Sequence, residues 1–284
     1  MSVVSLTSLR SEFHRHICER LLVVNEGIAS NADASQQSSV RIAREMANKL
    51  GASAGAKLAG QTAGVEFEKC VTNFVQSALS HLHGLRPGNW TTECINARSE
   101  LVIARYQQYS HLAEVQRIAN ENPDLAVFVG NDYAVASDVV VSRTPIGDDD
   151  FMANGMALDD QSGLHSPLRA KNSQLPLMHA SISCKWTMRS DRAQNSRFEA
   201  LNLIRSRKGR VPHIVVVTGE PSPSRLASLA LGTGDLDCVY HFALPELQEA
   251  VKALKQDEVS NLVNIMVAGN RLRDISDLPL DLTI

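Results

Sequence analysis

No stretch of roughly 18 apolar residues occurs in the 284-residue sequence, which argues against a membrane-spanning helix. The first residues, MSVVSLTSLRSEFHRH, lack a basic segment leading into a continuous apolar one, so a cytoplasmic rather than a secreted protein is expected. The five cysteines (Cys18, Cys70, Cys94, Cys184, Cys238) are odd in number and form no CxxC, which disfavours a disulfide framework and a structural zinc site. Several enzyme signatures are missing: there is no Walker A loop, no HExxH, no GxGxxG after a strand, and no strand-to-helix elbow of the GxSxG kind. GTGDLD at 232–237 lacks the phosphate-loop pattern and reads as a turn. His14/His16 and His81/His83 are spaced two apart, so they diverge on a helix and make poor metal clamps. Asn89-Trp90-Thr91 matches a glycosylation sequon without a secretory context.

What is present is a chain 44% hydrophobic and 21% charged, long enough to bury about three quarters of its unfolded surface. Its net charge of −3 predicts no general attraction to nucleic acid. The distribution says otherwise. Between Lys185 and Arg210 stand eight basic residues (Lys185, Arg189, Arg192, Arg197, Arg205, Arg207, Lys208, Arg210) and only two acidic ones, Asp191 and Glu199. A solvated helix face is the common reading of such a run; a phosphate-binding surface is the other.

Residues 1–60 read as polar and helical, interrupted by the loop SNADASQQSS (30–39) before an amphipathic segment from Val40 to Leu50. From Gly64 to Leu82, Phe67, Val71, Phe74, Val75, Ala78, Leu79 and Leu82 recur at helical spacing and predict a core helix. Glu68 falls on its apolar arc, where a carboxylate is costly unless paired or bound to a metal. A second helical region spans Ser99 to Asn120, and Ala136–Val141 reads as a buried strand containing Asp138. Residues 146–175 are acidic and aperiodic, and Asp148, Asp149 and Asp150 read as solvated loop, since no EF-hand spacing accompanies them.

HASISCKWTMR has the clearest alternation: Ala180, Ile182, Cys184, Trp186 and Met188 on one face, and Ser181, Ser183, Lys185, Thr187 and Arg189 on the other. It predicts a strand with one buried and one functional or wet face. A helix from Ser190 to about Arg207 follows, then a buried strand, His213–Thr218. Ser222-Pro223 opens a short helix to Leu231, Cys238–Ala243 is a strand, and Leu244-Pro245 starts a helix to about Lys255. This alternation predicts an α/β chain, a three-layer α/β/α fold with a central mixed sheet. It is expected to be one domain over 1–284, with a helical part to about 130 and a catalytic sheet core beyond.

The chemistry-bearing residues are Asp138, then Ser183 and Lys185 on one strand face, and Glu199 fourteen residues further on, in the next helix. Cleaving a phosphodiester calls for a hard cation on carboxylate oxygens and for a lysine to stabilise the developing charge. Each residue has a bland alternative: a backbone-bonding aspartate, a snorkelling lysine, a helix-surface ion pair. Together, beside the basic run, they favour a phosphate-directed site.

The pattern Asp138…Ser183-Cys184-Lys185…Glu199 resembles the variant active site of PD-(D/E)XK nucleases found in restriction endonucleases that cut CCGG-containing sites. The similarity extends through SNADAS, GQTAGVEFE, VQSA, RPGNW, ARYQQYSHL, PSPSRLASLALGTG, DCVYHFAL and DISDLPLDL, and is weakest in the first 25 residues and at 146–170. Ser137 stands where much of the family has proline before the aspartate. The resemblance implies that Asp138 coordinates magnesium and that Lys185 is the catalytic lysine. It places Ser183 where related nucleases have an acid, with Glu199 and Glu68 supplying the missing charge. It implies, further, that Arg189, Asp191 and Arg192 read the CCGG core, which suits arginine pairing with guanine and aspartate accepting from cytosine. Asp33, Ser35, Gln61 and Arg225 match further base-contacting positions, the last two at the outer G·C pairs. The expected activity is magnesium-dependent double-strand cleavage of DNA at GCCGGC by a homotetramer built from two dimers. The alternatives are another CCGG-containing site, a sequence-specific DNA-binding protein with an inactive nuclease centre, and a small-molecule α/β enzyme, the last disfavoured by the missing nucleotide loops.

Overall fold

The computed structural model describes residues 3–95, 102–122, 137–188, 190–232, 234–255 and 257–284, with 190–193 described by backbone alone. Helix α1 (Leu6–Arg20) begins where the Ser5 hydroxyl accepts the Ser8 N–H at 3.0 Å, satisfying one of the amides a helix start leaves open. A short hairpin, β1 (Val24–Asn25) and β2 (Ile28–Ala29), turns through Glu26 and Gly27, both at positive φ. Helix α2 (Gln37–Leu50) stops at Gly51, whose φ of 69° is the left-handed conformation that ends many helices. The run Gly51–Gly55 does carry the letters G-x-S-x-G. It follows a helix, and its Ser53 carbonyl accepts the Val24 N–H at 3.0 Å, so no nucleophile elbow forms.

Helix α3 (Gly60–Ser80) starts four residues before the predicted Gly64, so Gln61 belongs to its first turn. It lies across the face made by β3 (Trp90–Cys94), β4 (Val139–Arg143) and β5 (Leu177–Lys185). The sheet continues through β6 (His213–Thr218), β7 (Cys238–His241) and β8 (Leu272–Asp274), and its spatial order is the chain order. β3, β4 and β5 pair antiparallel, and β5 to β8 pair parallel, so the sheet is mixed as expected. Around it run α4 (His111–Glu121), α5 (Asp148–Ala153), α6 (Ser190–Ser206), α7 (Pro223–Ala230), α8 (Leu244–Ala253), α9 (Asp257–Ala268) and α10 (Leu278–Asp281). Among the described residues no helix is long and apolar enough to cross a membrane.

β6 is a continuous apolar run because it is flanked by β5 and β7 and covered on both faces; Val216 and Val217 are 0% exposed. The same covering corrects the picture of β5. Its second face is not wet along its length: Ser181 is buried against the Ser137 hydroxyl (2.7 Å), and only Ser183 and Lys185 are half open. β4 begins at Val139, which leaves Asp138 just before the strand and not within it; Ala136 lies outside the described residues. β3 has no counterpart in the predicted elements, being short and mostly polar, and it becomes a strand by pairing along β4.

The 146–175 excursion is more ordered than a solvated loop. Arg169, whose side chain is 2% exposed, donates twice to Asp148 (both 2.7 Å) and to the Asp159 and Ser162 carbonyls (both 2.9 Å). Asp148, Asp149 and Asp150 form the first turn of α5, where the helix dipole favours acids. At the other end of the chain, Arg10 forks onto Glu246 (2.6 and 2.9 Å) and Asp274 (2.8 and 2.9 Å), fastening α1 to helix α8 and strand β8.

One backbone contact sets how β5 ends. The Gly219 N–H donates to the Lys185 carbonyl at 3.1 Å. A β-carbon at Gly219 would lie 2.5 Å from the Trp186 ring and 2.8 Å from its carbonyl oxygen. Gly219→Ala is therefore expected to push Trp186 aside at a cost of about 1–3 kcal/mol, seen as a lowered melting temperature. A melting temperature equal to the parent's would show that this close approach is not needed.

Candidate active site

Antiparallel pairing sets Val139 opposite Ile182, which carries Asp138 to the level of Ser183. From there its Oδ2 accepts the Cys184 N–H at 2.7 Å and the Lys185 ammonium at 2.9 Å, with the Ser183 hydroxyl at 3.4 Å. Ser183 and Lys185 share a face because they are two apart on one strand. Helix α6 then brings Ser196 within 3.5 Å of the Ser183 hydroxyl and places Glu199 one turn further along. Asp138, Lys185 and Glu199 line one cleft of about 610 Å³, with Glu68 from α3 and Gln61 at its exposed rim. Glu68 is half-buried, and the Cys94 thiol lies 3.5 Å from its Oε2.

The charges in this cleft are coupled. Burial works against the Lys185 ammonium, but Asp138 and Glu199 outweigh it and hold its pKa above the ordinary lysine value. Burial pushes the Glu199 carboxyl up to about 7; Lys185 offsets part of this, and Asp138 adds to it by like-charge repulsion.

A second cleft of about 560 Å³ adjoins the first and shares Lys57 and Thr187 with it; Asp33, Ser35 and Arg225 line it. The Asp33 carboxylate accepts the Ser35 hydroxyl (2.7 Å) and N–H (3.0 Å) and pairs with Arg225, which together hold it down to about 2. Arg225 also donates to the Met188 carbonyl at 2.7 Å and lies 3.6 Å from Glu220. Of the residues matched to the CCGG core, Arg189 lies outside the described residues, as do the side chains of Asp191 and Arg192. The neighbouring Met188 is fully buried, and its carbonyl accepts the Arg225 guanidinium at 2.7 Å.

Three contributors had no sequence signal. Lys57 and Asn195 sit in polar stretches with no periodicity, and both are exposed residues on the cleft wall. Glu220 lies in a strand-to-helix turn, TGEPSP, that reads as surface; it is 0% exposed. His14 and His16 point apart on α1: His14 is buried with its Nε2 2.7 Å from the Phe242 carbonyl, and His16 lies beside Arg15 (2.9 Å).

The donor set suits a divalent cation of the hard, oxygen-seeking kind. Asp138 and Glu199 both offer carboxylate oxygens to the cleft, and the Glu199 carboxyl is raised chiefly by burial, which Lys185 only partly offsets and to which Asp138 adds. Among the described residues no cluster of three or more His, Cys, Asp or Glu side chains forms a ready-made metal cage. Two acids, a hydroxyl and a lysine remain.

Residues 13–284 match the family described as NgoMIV restriction enzyme. The type II restriction enzyme NgoMIV of Neisseria gonorrhoeae is 49% identical over 281 residues, covering 98% of each chain.

A carboxyl raised in the folded state stabilises that state while protonated, below about pH 4.5, and withdraws the stability as pH rises towards 7. In cation-free buffer the parent should therefore lose melting temperature between pH 5 and 8 relative to Glu199→Gln, by a few degrees, and added divalent cation should close the gap at pH 8. Parallel melting curves across this range would show that Glu199 is not ionising against burial and Asp138.

Proposed function

The chain belongs to the NgoMIV restriction enzyme family and is a type II restriction endonuclease acting on DNA, and from that premise we propose that it cuts both strands at a palindromic CCGG-containing site, GCCGGC, using magnesium. The observation that carries the reading is the Asp138–Lys185 contact at 2.9 Å beside Glu199 in an open cleft. A nuclease centre needs this juxtaposition: acids to hold a cation, and a lysine close enough to share the field of the reacting phosphate.

On this reading Asp138 and Glu199 hold the cation, which would neutralise phosphate charge and lower the pKa of a bound water. Lys185, kept charged by the two acids, faces the negative charge that builds on the phosphate. Ser183 orients the Asp138 carboxylate by its hydroxyl. Glu68, from α3, adds negative potential to the same cleft. Arg189, Asp191 and Arg192 read the CCGG core, while Asp33, Ser35, Gln61 and Arg225 reach flanking bases; the salt bridge between Asp33 and Arg225 supports a shared reading surface. A palindromic site suits a two-fold dimer whose two centres each cut one strand, and a homotetramer of two such dimers would engage two sites. The enzyme works in the cytoplasm, where its DNA substrate is.

Lys185→Ala is expected to lower cleavage of a plasmid by at least about a hundredfold while leaving binding of a GCCGGC oligonucleotide in calcium within a few-fold of the parent, because a charge at the reacting phosphate is lost and the base contacts are not. Substantial magnesium-dependent cutting by the variant would remove Lys185 from the mechanism. A parent that binds the site but never cuts, with or without magnesium, would favour the reading as a DNA-binding protein with an inactive centre.

A further inference from the structure

Glu220 is a buried acid that the cleavage chemistry leaves unused. It is 0% exposed, at the turn between β6 and α7. Its Oε2 accepts the Met188 N–H at 2.7 Å and lies 3.6 Å from the Arg225 guanidinium, while Oε1 accepts the Ser222 N–H at 3.1 Å. Its own N–H donates to the Thr218 hydroxyl (3.1 Å), which in turn donates to the Lys185 carbonyl (2.8 Å). Next to it, the Gly219 carbonyl accepts the Asn31 amide at 2.8 Å, two residues before Asp33.

The partners of that one carboxylate are not a random set. Met188 is the residue before Arg189 and opens the segment assigned to the CCGG core. Ser222 is the N-cap of α7, the helix that carries Arg225, assigned to the outer pair. A buried carboxylate with one donor could be replaced by an apolar side chain; one with two amides and a guanidinium fixes three groups relative to one another. A shift of either segment would break a contact to the same side chain.

We propose that Glu220 is a positioning residue that locks the core-reading junction at 188–192 to Arg225, so that the core and the outer base pair are read as one unit. The inference rests on the proposed CCGG reading. It assigns to Glu220 no contact with DNA.

The test is Glu220→Gln, in which an NH2 replaces one oxygen and must face one of the two N–H donors. Binding is measured in calcium by competition between GCCGGC oligonucleotides and ones altered at the outer pair or within the core. The variant is expected to lose discrimination at both positions by roughly fivefold or more, the low end of one good base contact, while the salt dependence of binding stays that of the parent, because phosphate contacts are untouched. Arg225→Ala should lose discrimination at the outer pair only, and the double variant should lose no more there than Arg225→Ala alone, as expected of residues acting as a unit. Unchanged discrimination with a lowered melting temperature overturns the proposal, and so does a loss confined to the outer pair, which would make Glu220 a partner of Arg225 alone. If Glu220→Gln does not fold, the same measurements on Glu220→Asp decide, since it keeps the charge but cannot span both amides; failure of both to fold makes the carboxylate purely structural and overturns the proposal. A parent with no preference for CCGG oligonucleotides overturns the functional reading and this inference with it, whereas a discriminating parent beside an unaffected variant overturns the inference alone.

Discussion

The Asp138 carboxylate accepts the Lys185 ammonium at 2.9 Å and the Cys184 N–H at 2.7 Å, and the sheet register that brings these groups together is the constraint the rest of the site answers to. A slip of one residue between β4 and β5 would turn Ser183 and Lys185 to the opposite face and bring Cys184 in their place. Register is secured by apolar cover on the face opposite Ser183 and Lys185: Val139, Val141, Ala180 and Ile182, paired across the two strands, are all 0% exposed, so a one-residue slip would carry serines and a lysine into the core. Core packing and catalytic geometry are therefore one requirement in this region. The switch from antiparallel to parallel pairing at β5 serves the same end, since it frees β5 to lead directly into α6 and so bring Glu199 back over Ser183 and Lys185.

The same economy recurs one strand further on. β6 ends at Thr218, and the next residues, Gly219 and Glu220, tie its end to β5 through the Lys185 carbonyl and the Met188 N–H. Burial pushes the Glu220 carboxyl above its ordinary value, and the Met188 and Ser222 N–H groups, otherwise orphaned at strand and helix ends, together with Arg225 offset part of that cost. Two carboxylates, Asp138 and Glu220, thus each hold backbone amide and cationic groups, Asp138 in the first cleft and Glu220 buried behind Arg225, which lines the second. The clefts share Lys57 and Thr187, so DNA lying across one lies across the other.

The sequence was most legible where periodicity was strong and cover complete. His213–Thr218 is the strand the apolar run predicts, residue for residue, and α6 ends within one residue of its expected position. Boundaries slipped where local signals were weak: α3 begins at Gly60 with no side-chain cap to mark it, and β3 is polar and exists through its partner. Asp138, Ser183, Lys185 and Glu199 are legible as a group because strand parity and helix spacing reach that far: Asp138, Lys185 and Glu199 line one cleft, and the Ser183 hydroxyl lies 3.4 Å from the Asp138 carboxylate. Glu68 stands out by its place at an apolar arc: Phe67, Val71 and Phe74 of that arc are buried in the core, while Glu68 itself, half-buried, lines the cleft. Glu220, Lys57 and Asn195 were not legible, since each owes its position to contacts between segments far apart in the chain. Arg169 shows the converse case: an acidic, aperiodic stretch looked solvated because the one arginine that organises it lies twenty-one residues from Asp148.

On the proposed function, this cleft cuts DNA at one palindrome and needs a divalent cation to do so. Digestion of a fully sequenced phage genome with the purified protein in magnesium, followed by sequencing of the fragment ends, tests it most directly. The account predicts ends that all fall within GCCGGC and intact DNA when the cation is chelated. Ends scattered over unrelated sequences, or cleavage that persists in chelator, would contradict it.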